Sequence, residues 1–344
     1  MKIALCSTMT PFIDGGARQI VDWLEDHLLA EGHAVEKVYL PEVDRTETLY
    51  RQMMSFRWID LDRADRVICF RPQSQLIQHD HKVLWFIHHV RVFYDLWDSP
   101  YRPCPDDAKH RGLRQAIHDA DSNAIREAKA VFTNSNVISD RLRKFNGIES
   151  EVLYPPIFRP ERFHCEDFND EIVYISRVER HKRQDLLIRA LALTTTLVKI
   201  RIAGASIYDD YPDELERLVG HLGLQNRVVF DRRWISEDEK ASILGSCLAV
   251  AYLPVDEDSY GYPTLEAAHS SKPVLTVADS GGVLAFVESG VTGFVAEPTA
   301  EALAEYMDRL YLSRALTKKM GAAARDRIES LGISWPRVID RLLA

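Results

Sequence analysis

The sequence has few cysteines and lacks a long apolar run. Its five cysteines are odd in number and never form a C-x-x-C pair, so no disulfide framework is expected and a reducing compartment is indicated. No apolar stretch is long enough to span a bilayer. The N-terminal segment MKIALCSTMTPFIDGG turns polar at Ser7, too soon for a signal peptide. We therefore expect a cytoplasmic protein whose chain opens with a buried strand.

Positive charge is also in deficit. Lys and Arg number 43 against 52 Asp and Glu, a net charge of −9, which argues against nucleic acid as a partner because phosphate backbones need a basic surface. The remaining composition, with 46% hydrophobic and 28% charged residues, is that of an ordinary globular protein. A chain of 344 residues is long for one core and fits two domains.

Short apolar runs alternate with amphipathic stretches along the chain, the pattern of strand–helix units on parallel sheets. Each half holds six strand candidates: KIALCST, AVEKVYL, RVICF, KVLWFIH, AVFTNS and EVLYP, then EIVYIS, VKIRIAG, RVVFD, CLAVAYL, PVLTVA and TGFVA. Pro155 and Pro156 mark a linker. The sequence thus predicts an α/β fold of two doubly wound, Rossmann-like domains, residues 1–155 and 156–330, with a helical tail that ends in residues 331–344.

Ligands of such folds bind at the carboxyl ends of the strands. After the first strand, DGGAR places Gly15 and Gly16 at the start of a helix, where glycines let an anion approach the backbone. A turn that needs positive φ explains them equally well. After KVLWFI come His88 and His89, candidates for a hydrogen-bond donor or an acid–base group. A packed loop histidine is the alternative.

The segment RVERHKRQ follows the strand EIVYIS and carries four cations. Arg177 and Lys182 suit a diphosphate, since Arg binds it bidentately and Lys acts as a point charge. Arg180 and Arg183 complete the cluster. Because cations oppose the dipole at a helix N-terminus, an anion should compensate them. A solvated basic helix start is the alternative.

The stretch DSYGYPTLE, residues 258–266, holds two acids eight positions apart. Pro263 excludes one continuous helix and favours a new helix start, which puts Asp258 on a loop and Glu266 in the first turns of that helix. Free N–H groups there would suit phosphate. Glu266 could accept hydrogen bonds from ribose hydroxyls and Asp258 from those of a sugar. The alternatives are a favourable charge near a helix start and an exposed loop acid.

Together these segments resemble the retaining glycosyltransferases of family 4, whose GT-B fold has two Rossmann-like domains facing a central cleft. That family's signature is Glu, seven residues and Glu around a Gly-x-Pro loop; here it is D-SYGYPTL-E. SRVERHK resembles the family's diphosphate-binding Arg and Lys, and DGGAR its N-terminal glycine loop. SGGVLAFVESGVTGFV resembles its second glycine segment. SWPRVIDRLL resembles its closing helix, which is expected to pack back towards the N-terminal domain.

The resemblance implies retaining transfer of a sugar from a nucleoside diphosphate sugar to a saccharide or glycolipid, in polysaccharide or glycoconjugate biosynthesis. It implies no metal and no cofactor, because Arg, Lys and helix dipoles neutralise the leaving diphosphate. The implied catalytic residues are His88, Asp258, Arg177 and Lys182. The implied donor-binding residues are Gly15, Gly16, Arg177, Lys182, Asp258, Ser259, Tyr260, Gly261, Tyr262, Thr264, Leu265 and Glu266.

The chain departs from the family pattern at two positions. Asp258 is one methylene shorter than the usual Glu, and Glu257 beside it is a candidate substitute. Ala285 stands where the second glycine segment often has Glu.

Three other functions stay open. A metal-dependent glycosyltransferase would use Asp-x-Asp, which DLD at 60–62 and DED at 256–258 match, although such short acidic strings are common and two domains with an Arg-Lys pair fit that class poorly. A metal cluster at His79 and His81, which flank Asp80, is not favoured because the histidines show no convincing ligand spacing. A nucleotide-sugar epimerase of the same fold and a non-catalytic nucleotide-sugar-binding protein are the others.

Two further segments are candidates for contact with the acceptor. The basic RLRK at 141–144 could touch the inner face of a membrane as a peripheral contact, although a solvated helix face is the plainer interpretation. The aromatic residues of YDLWDSPYRPCPDD, residues 94–107, could stack on acceptor sugars or anchor their own loop.

Overall fold

The structure is a computed structural model that describes residues 1–12, 16–42, 48–98, 102, 104–206 and 210–344. The chain forms two compact units. The first comprises Met1–Pro156 together with Ile333–Ala344, and the second comprises Ile157–Gly332.

The described residues form twelve strands and eleven α-helices. The strands are β1 (Lys2–Met9), β2 (Ala34–Pro41), β3 (Arg66–Cys69), β4 (Lys82–Phe86), β5 (Ala130–Thr133), β6 (Glu151–Val152), β7 (Glu171–Ile175), β8 (Lys199–Ala203), β9 (Val228–Asp231), β10 (Ala249–Ala251), β11 (Val274–Val277) and β12 (Gly293–Ala296). The helices are α1 (Gly16–Ala30), α2 (Leu49–Arg57), α3 (Ala108–Arg126), α4 (Asn136–Asn146), α5 (Gln184–Leu193), α6 (Tyr211–His221), α7 (Glu237–Ser246), α8 (Tyr262–His269), α9 (Ala300–Leu312), α10 (Arg314–Ser330) and α11 (Trp335–Leu343). Each of the twelve predicted strand segments coincides with one of these strands to within a few residues at its ends, so the predicted α/β pattern is confirmed.

The first unit is built on a six-stranded parallel sheet in the order β2-β1-β3-β4-β5-β6. Successive side chains of a strand point to opposite faces. Accordingly Ile3 and Leu5 of β1 join an apolar cluster with α1, whereas Ala4 and Cys6 join a second cluster on the other face. Burial on both faces explains why the strand sequences are continuous apolar runs.

Helix α11 belongs to the first unit although it follows the second unit in sequence. Ser334 caps it by accepting a hydrogen bond from the Arg337 backbone N–H. The Trp335 ring stacks on His27 with 4.6 Å between ring centroids. Arg66 donates to the Leu342 carbonyl at 2.7 Å. The apolar side of α11 therefore completes the cluster that covers α1 and one face of the first sheet.

The second unit has a six-stranded parallel sheet in the order β12-β11-β10-β7-β8-β9. From β7 the chain runs outward through β8 and β9, and then returns to the other side of β7 with β10, β11 and β12. The order therefore reverses between β7 and β10, which pair directly through Ile172 with Ala249 and Val173 with Val250. Ligands of open parallel sheets bind outside the carboxyl ends of the two strands that flank such a reversal.

None of the helices that the structure describes combines the length and the apolar composition required for crossing a membrane.

Candidate functional site

The DSYGYPTLE segment forms the turn from β10 into α8. Helix α8 begins at Tyr262 with Pro263 in its first turn, as predicted. Asp258 lies on the preceding loop and Glu266 in the second turn of the helix. Gly261 precedes the helix with φ +72° and ψ 134°, and a β-carbon there would lie 2.3 Å from Cε1 of Tyr252. Only glycine fits this position without displacing the ring.

The second glycine segment lies directly against this loop. Gly282 donates its backbone N–H to the Glu257 carbonyl at 2.7 Å, and Gly281 forms a β-bridge with Glu257. A β-carbon on Gly282 would lie 2.7 Å from Cα of Ser259. The close approach of the two backbones explains the glycine pair. Ala285 lies within this segment, and its carbonyl accepts a hydrogen bond from Arg327 at 3.3 Å.

Lys182 is buried and holds a polar network beneath the loop. Its ammonium donates to the Tyr252 hydroxyl at 3.0 Å and forms an ion pair with the Glu257 carboxylate. The Tyr252 hydroxyl donates in turn to Glu257 Oε2 at 3.0 Å. Burial opposes the ionisation of Glu257, but the charge of Lys182 and its hydrogen bonds hold the pKa of Glu257 below its usual value. Glu257 is therefore the ion-pair partner of Lys182 in this structure, and its role as a substitute for Asp258 stays a prediction.

Arg177 also has a carboxylate partner, because its guanidinium lies 2.7 Å from Glu179 Oε1. His181 Nε2 lies 3.4 Å from the other oxygen of Glu179. Burial and the charge of Lys182 lower the pKa of His181. The anions expected to compensate these cations are thus side chains of the protein itself.

The other two cations of RVERHKRQ face different partners. Arg180 pairs with Glu214 at 2.6 Å, and Arg183 pairs with Asp279 at 2.7 Å while donating to the carbonyls of Leu253 and Pro254. Arg183 thereby ties the start of α5 to the end of β10. Its pairing is that of a structural residue.

Glu266 is 7% exposed and pairs with a residue that the sequence did not single out. Lys240 of α7 places its ammonium 2.6 Å from Glu266 Oε1 and 2.9 Å from Glu237 Oε1. The local i, i+3 pair of Lys240 with Glu237 is visible in the sequence. Its pair with Glu266 depends on the packing of α7 against α8, for which the sequence gives no signal.

Several side chains around the start of α8 are buried. Thr264 is fully buried, and its hydroxyl has no hydrogen-bond partner within the described part of the chain. Tyr260 and Leu265 are buried too, so a ligand could reach only their backbone. Ser259 Oγ accepts from the Gly261 N–H at 3.4 Å. Burial and the Glu266 carboxylate raise the pKa of Tyr262.

The remaining predicted residues lie in the first unit. Gly15 is outside the described residues, and Gly16 is the first residue of α1, the helix that follows β1 in the chain. His88 follows β4, is half-buried, and its Nδ1 lies 2.7 Å from the His89 carbonyl oxygen.

His89 itself is buried at 1% exposure, with Nε2 2.9 Å from Asn146 Oδ1 and its ring packed on Tyr94. Burial lowers the pKa of His89 to about 4. Of the two histidines, His88 is the one that stays accessible to a ligand.

The structure bears on the two further candidate segments. In the RLRK segment, Arg141 is buried and lies 3.3 Å from Asp95, while Arg143 is paired with Asp140 and Glu149, so these two charges are neutralised within the protein. These pairs favour the solvated helix face over a lipid contact, and contact with a membrane stays a prediction.

The aromatic residues of the 94–107 loop are also turned inward. Tyr94 stacks on His118 with 4.0 Å between ring centroids. The guanidinium groups of Arg102 and Arg114 lie 5.1 and 5.0 Å from the centroid of the Trp97 ring. Both aromatics are buried, so they anchor the loop and are not available to sugar rings; Tyr101 is outside the described residues.

Among the residues with described positions, no group of three or more His, Cys, Asp or Glu side chains could hold a metal ion. In the DLD string, Asp60 Oδ1 accepts from the Asp62 N–H at 3.0 Å, which is a local turn.

Comparisons with known proteins gave consistent matches. The family model described as "Glycosyl transferases group 1" matches residues 165–327. The chain is 32% identical over 316 residues to alpha-1,3/1,6-mannosyltransferase ALG2 of Dictyostelium discoideum, covering 81% of this chain and 73% of that protein. It is 26% identical over 310 residues to ALG2 of Homo sapiens, covering 82% and 71%. The crystal structure of Anabaena HepE in complex with UDP and glucose aligns over 99% of this chain and 98% of that one, with a TM-score of 0.71 and 18% identity.

Proposed function

Because this chain belongs to the glycosyl transferases group 1 family, we propose that it moves a hexose from a nucleoside diphosphate sugar to a saccharide or glycolipid acceptor, with retention of the anomeric configuration. Its two parallel sheets and C-terminal helix form a GT-B fold, and the chain is a glycosyltransferase. The donor's base, its sugar, the acceptor and the retaining course are parts of the proposal.

One observation carries the donor site. Arg177 and Lys182 follow β7, and the loop with Asp258 follows β10, so both segments flank the single reversal of strand order in the second sheet. Ligands of open parallel sheets bind at that point. The site combines two cations, a helix start and a buried carboxylate, Glu266, which together match the diphosphate and the ribose of a nucleotide.

Each group has a role in the proposed reaction. Arg177, Lys182 and the N–H groups at the start of α8 stabilise the charge that develops on the departing diphosphate. Glu179 and Glu257 hold the two cations when no donor is bound. Thr264 adds a buried hydroxyl that lacks a partner within the described residues. These groups need no metal ion for charge neutralisation.

The transferred sugar would lie near Asp258, whose shorter side chain reaches the sugar hydroxyls less far than Glu would. The bond between the anomeric carbon and the phosphate oxygen breaks, and the acceptor oxygen forms a new bond on the same face. The acceptor's proton passes to the departing phosphate oxygen. His88 and Gly16, at the carboxyl ends of their strands in the first unit, are proposed to contact the substrates.

The names of the relatives guide the choice of substrates. The ALG2 proteins are mannosyltransferases, and a further relative is a D-inositol 3-phosphate glycosyltransferase of Mycolicibacterium smegmatis. HepE was crystallised with UDP and glucose. We therefore propose glucose and mannose nucleotides as the first donors to assay, and glycoconjugates as acceptors.

Nucleoside diphosphate binding provides the first test. The melting temperature is measured with UDP, GDP and ADP, each with and without EDTA. A ligand at 100 times its Kd adds about 2.7 kcal/mol to stability. The proposal expects an EDTA-insensitive shift with one of the three, lost in Arg177→Gln and Lys182→Met. Arg180→Gln is the matched control, since that cation pairs with Glu214 and should leave the shift intact. No shift with any diphosphate would contradict the donor site.

Turnover distinguishes the remaining functions. Transfer of a labelled hexose to an acceptor, with the anomeric configuration of the product determined by NMR, tests the retaining glycosyltransferase. Epimerisation of the donor without acceptor would indicate the isomerase, and binding without any turnover the non-catalytic protein.

The predicted location at the cytoplasmic face of a membrane stays a prediction. Sedimentation with vesicles of anionic phospholipid measures it. Because the Arg141 and Arg143 charges are neutralised within the protein, we expect Lys144→Gln to change the bound fraction little. A large change in the bound fraction would indicate that this segment does contact the lipid.

A further inference from the structure

Lys240 connects α7 to the proposed ribose site. Its side chain is 15% exposed, the Glu266 side chain 9%, and the Glu237 side chain 53%. The ammonium lies 2.6 Å from Glu266 Oε1 and 2.9 Å from Glu237 Oε1. The buried half of this three-residue group is thus the Lys240–Glu266 pair, and Glu237 closes it on the solvent side.

The Lys240–Glu266 pair places a counter-charge beside a buried carboxylate. An ionised carboxylate that is taken out of water needs a counter-charge or several hydrogen bonds. Burial opposes the charge of Lys240, but the carboxylates of Glu266 and Glu237 raise the pKa of the ammonium above its usual value. Lys240 therefore stays charged, and it supplies the counter-charge that Glu266 requires.

The pair also orients the carboxylate. Lys240 occupies Oε1 of Glu266, and none of the hydrogen bonds between described residues ends on Oε2. A carboxylate fixed through one oxygen presents the other in a defined direction. Without Lys240, the group could rotate about its terminal bond, since such sp³–sp² torsions are broad and roughly two-fold.

We infer that Lys240 is a positioning residue that fixes Glu266 with one oxygen directed at a ribose hydroxyl, and thereby makes the site prefer ribose over deoxyribose nucleotides. The inference rests on the proposed function, because it takes Glu266 as the group that binds the donor's ribose.

The test compares ligands on the same protein. The nucleoside diphosphate that binds best among UDP, GDP and ADP is titrated calorimetrically, together with its 2′-deoxy and 3′-deoxy forms. A hydrogen bond to a charged group contributes roughly 10–100-fold to an equilibrium constant. Wild type should therefore prefer the ribose form over one of the deoxy forms by about tenfold or more. In Lys240→Met that preference should fall below about threefold.

Three further variants separate positioning from general damage. Glu266→Gln should lose the preference as well, since the amide replaces the charged acceptor. Lys240→Arg should keep most of it. Glu237→Gln is the matched control, because it removes the exposed partner of Lys240 and leaves the pair with Glu266. Inorganic pyrophosphate should bind all four variants as it binds wild type, since it has no ribose.

Equal preference in wild type and Lys240→Met, or no preference in wild type, overturns the role of Lys240 while diphosphate binding still supports the proposed function. Failure of all three diphosphates to bind wild type overturns both. If Lys240→Met does not fold, Lys240→Gln takes its place, and a preference at the wild-type level in that variant also refutes the inference.

Discussion

Gly261→Ala offers a sharp test of how the loop before α8 is supported. The residue has φ +72° and ψ 134°, a conformation that side chains with a β-carbon rarely adopt. The new methyl carbon would lie 2.3 Å from Cε1 and 2.9 Å from Cζ of Tyr252. Since Tyr252 is buried at 4% exposure and hydrogen-bonded to Lys182 and Glu257, its ring cannot move without breaking that network.

The magnitude has two parts. A residue held in an unfavourable backbone region costs roughly 1–3 kcal/mol. Forcing an extra methyl into a packed site costs roughly 1–3 kcal/mol more. We therefore expect Gly261→Ala to lower the free energy of unfolding of the second unit by about 2–6 kcal/mol.

Gly223→Ala is the matched control. Gly223 lies in the same unit with φ +69°, but no described atom lies within 4 Å of the β-carbon it would gain. It should cost only the backbone part, roughly 1–2 kcal/mol. Gly261→Ala should therefore cost more than Gly223→Ala, because only Gly261→Ala brings a methyl group against the Tyr252 ring.

The assay must report on the second unit. Of the six tryptophans, only Trp234 lies in that unit, so tryptophan fluorescence follows mainly the first unit. Calorimetry records both transitions, and the one that does not coincide with the fluorescence change belongs to the second unit. Each kcal/mol shifts the melting temperature of a unit of this size by roughly 2–4 °C.

A functional readout accompanies the stability. Displacing the Tyr252 hydroxyl removes the hydrogen bond that the Lys182 ammonium donates to it, and a hydrogen bond made by a charged group is worth roughly 10–100-fold in an equilibrium constant. Diphosphate affinity should fall by about that factor in Gly261→Ala and by less than about twofold in Gly223→Ala. Equal destabilisation by the two substitutions, or unchanged affinity in Gly261→Ala, would refute the reasoning.

Other substitutions and conditions give independent tests. Gly112→Ala should stabilise the first unit by roughly 0.5–1 kcal/mol, because Gly112 lies inside α3 with no described atom within 4 Å of the added carbon. Gly321→Ala in α10 should instead destabilise the second unit, because its methyl carbon would lie 1.9 Å from the Ser271 carbonyl oxygen. Shifts of the melting temperature with the same sign in both variants would contradict this pair of predictions. The folded-state pKa of His89, about 4, lies below the ordinary 6.5, so its stabilising contribution is present above pH 6.5 and is lost as the pH falls towards 4. The stability advantage of wild type over His89→Gln should thus shrink by roughly 3 kcal/mol across that window, and a pH-independent difference in urea titrations would argue against it. Donor turnover should persist in EDTA, because Arg177 and Lys182 supply the neutralising charge; its loss in EDTA and return with Mg²⁺ would show that a metal is needed.

The fold and the turn into α8 follow from local sequence patterns. Apolar runs alternate with amphipathic stretches because each strand is covered on both faces. Pro263 can begin a helix but not continue one, which sets the start of α8 next to Gly261. Such signals depend on neighbouring residues only, so they are readable without tertiary structure.

The partners of the site residues depend on distant segments and were not predictable in the same way. Lys182 meets Glu257 across 75 residues, and Lys240 meets Glu266 across 26. The first pair exists because β7 and β10 are neighbours in the sheet, and the sequence alone does not give that order. The sequence predicted an anion that compensates Arg177 and Lys182, but it could not show that Glu179 and Glu257 of the protein itself pair with them.

The packing of α11 in the first unit has a consequence for folding during synthesis on the ribosome. The first unit lacks the side chains of Trp335, Ile339 and Leu342 until the whole second unit has been translated. At roughly 5–20 residues per second, the 176 residues of Ile157–Gly332 take on the order of 10–40 s to synthesise. During that interval the apolar residues of α1 that pack with α11 in the folded unit are not covered by that helix. The second unit is contiguous in sequence, so its core does not depend on a segment that is synthesised after another unit.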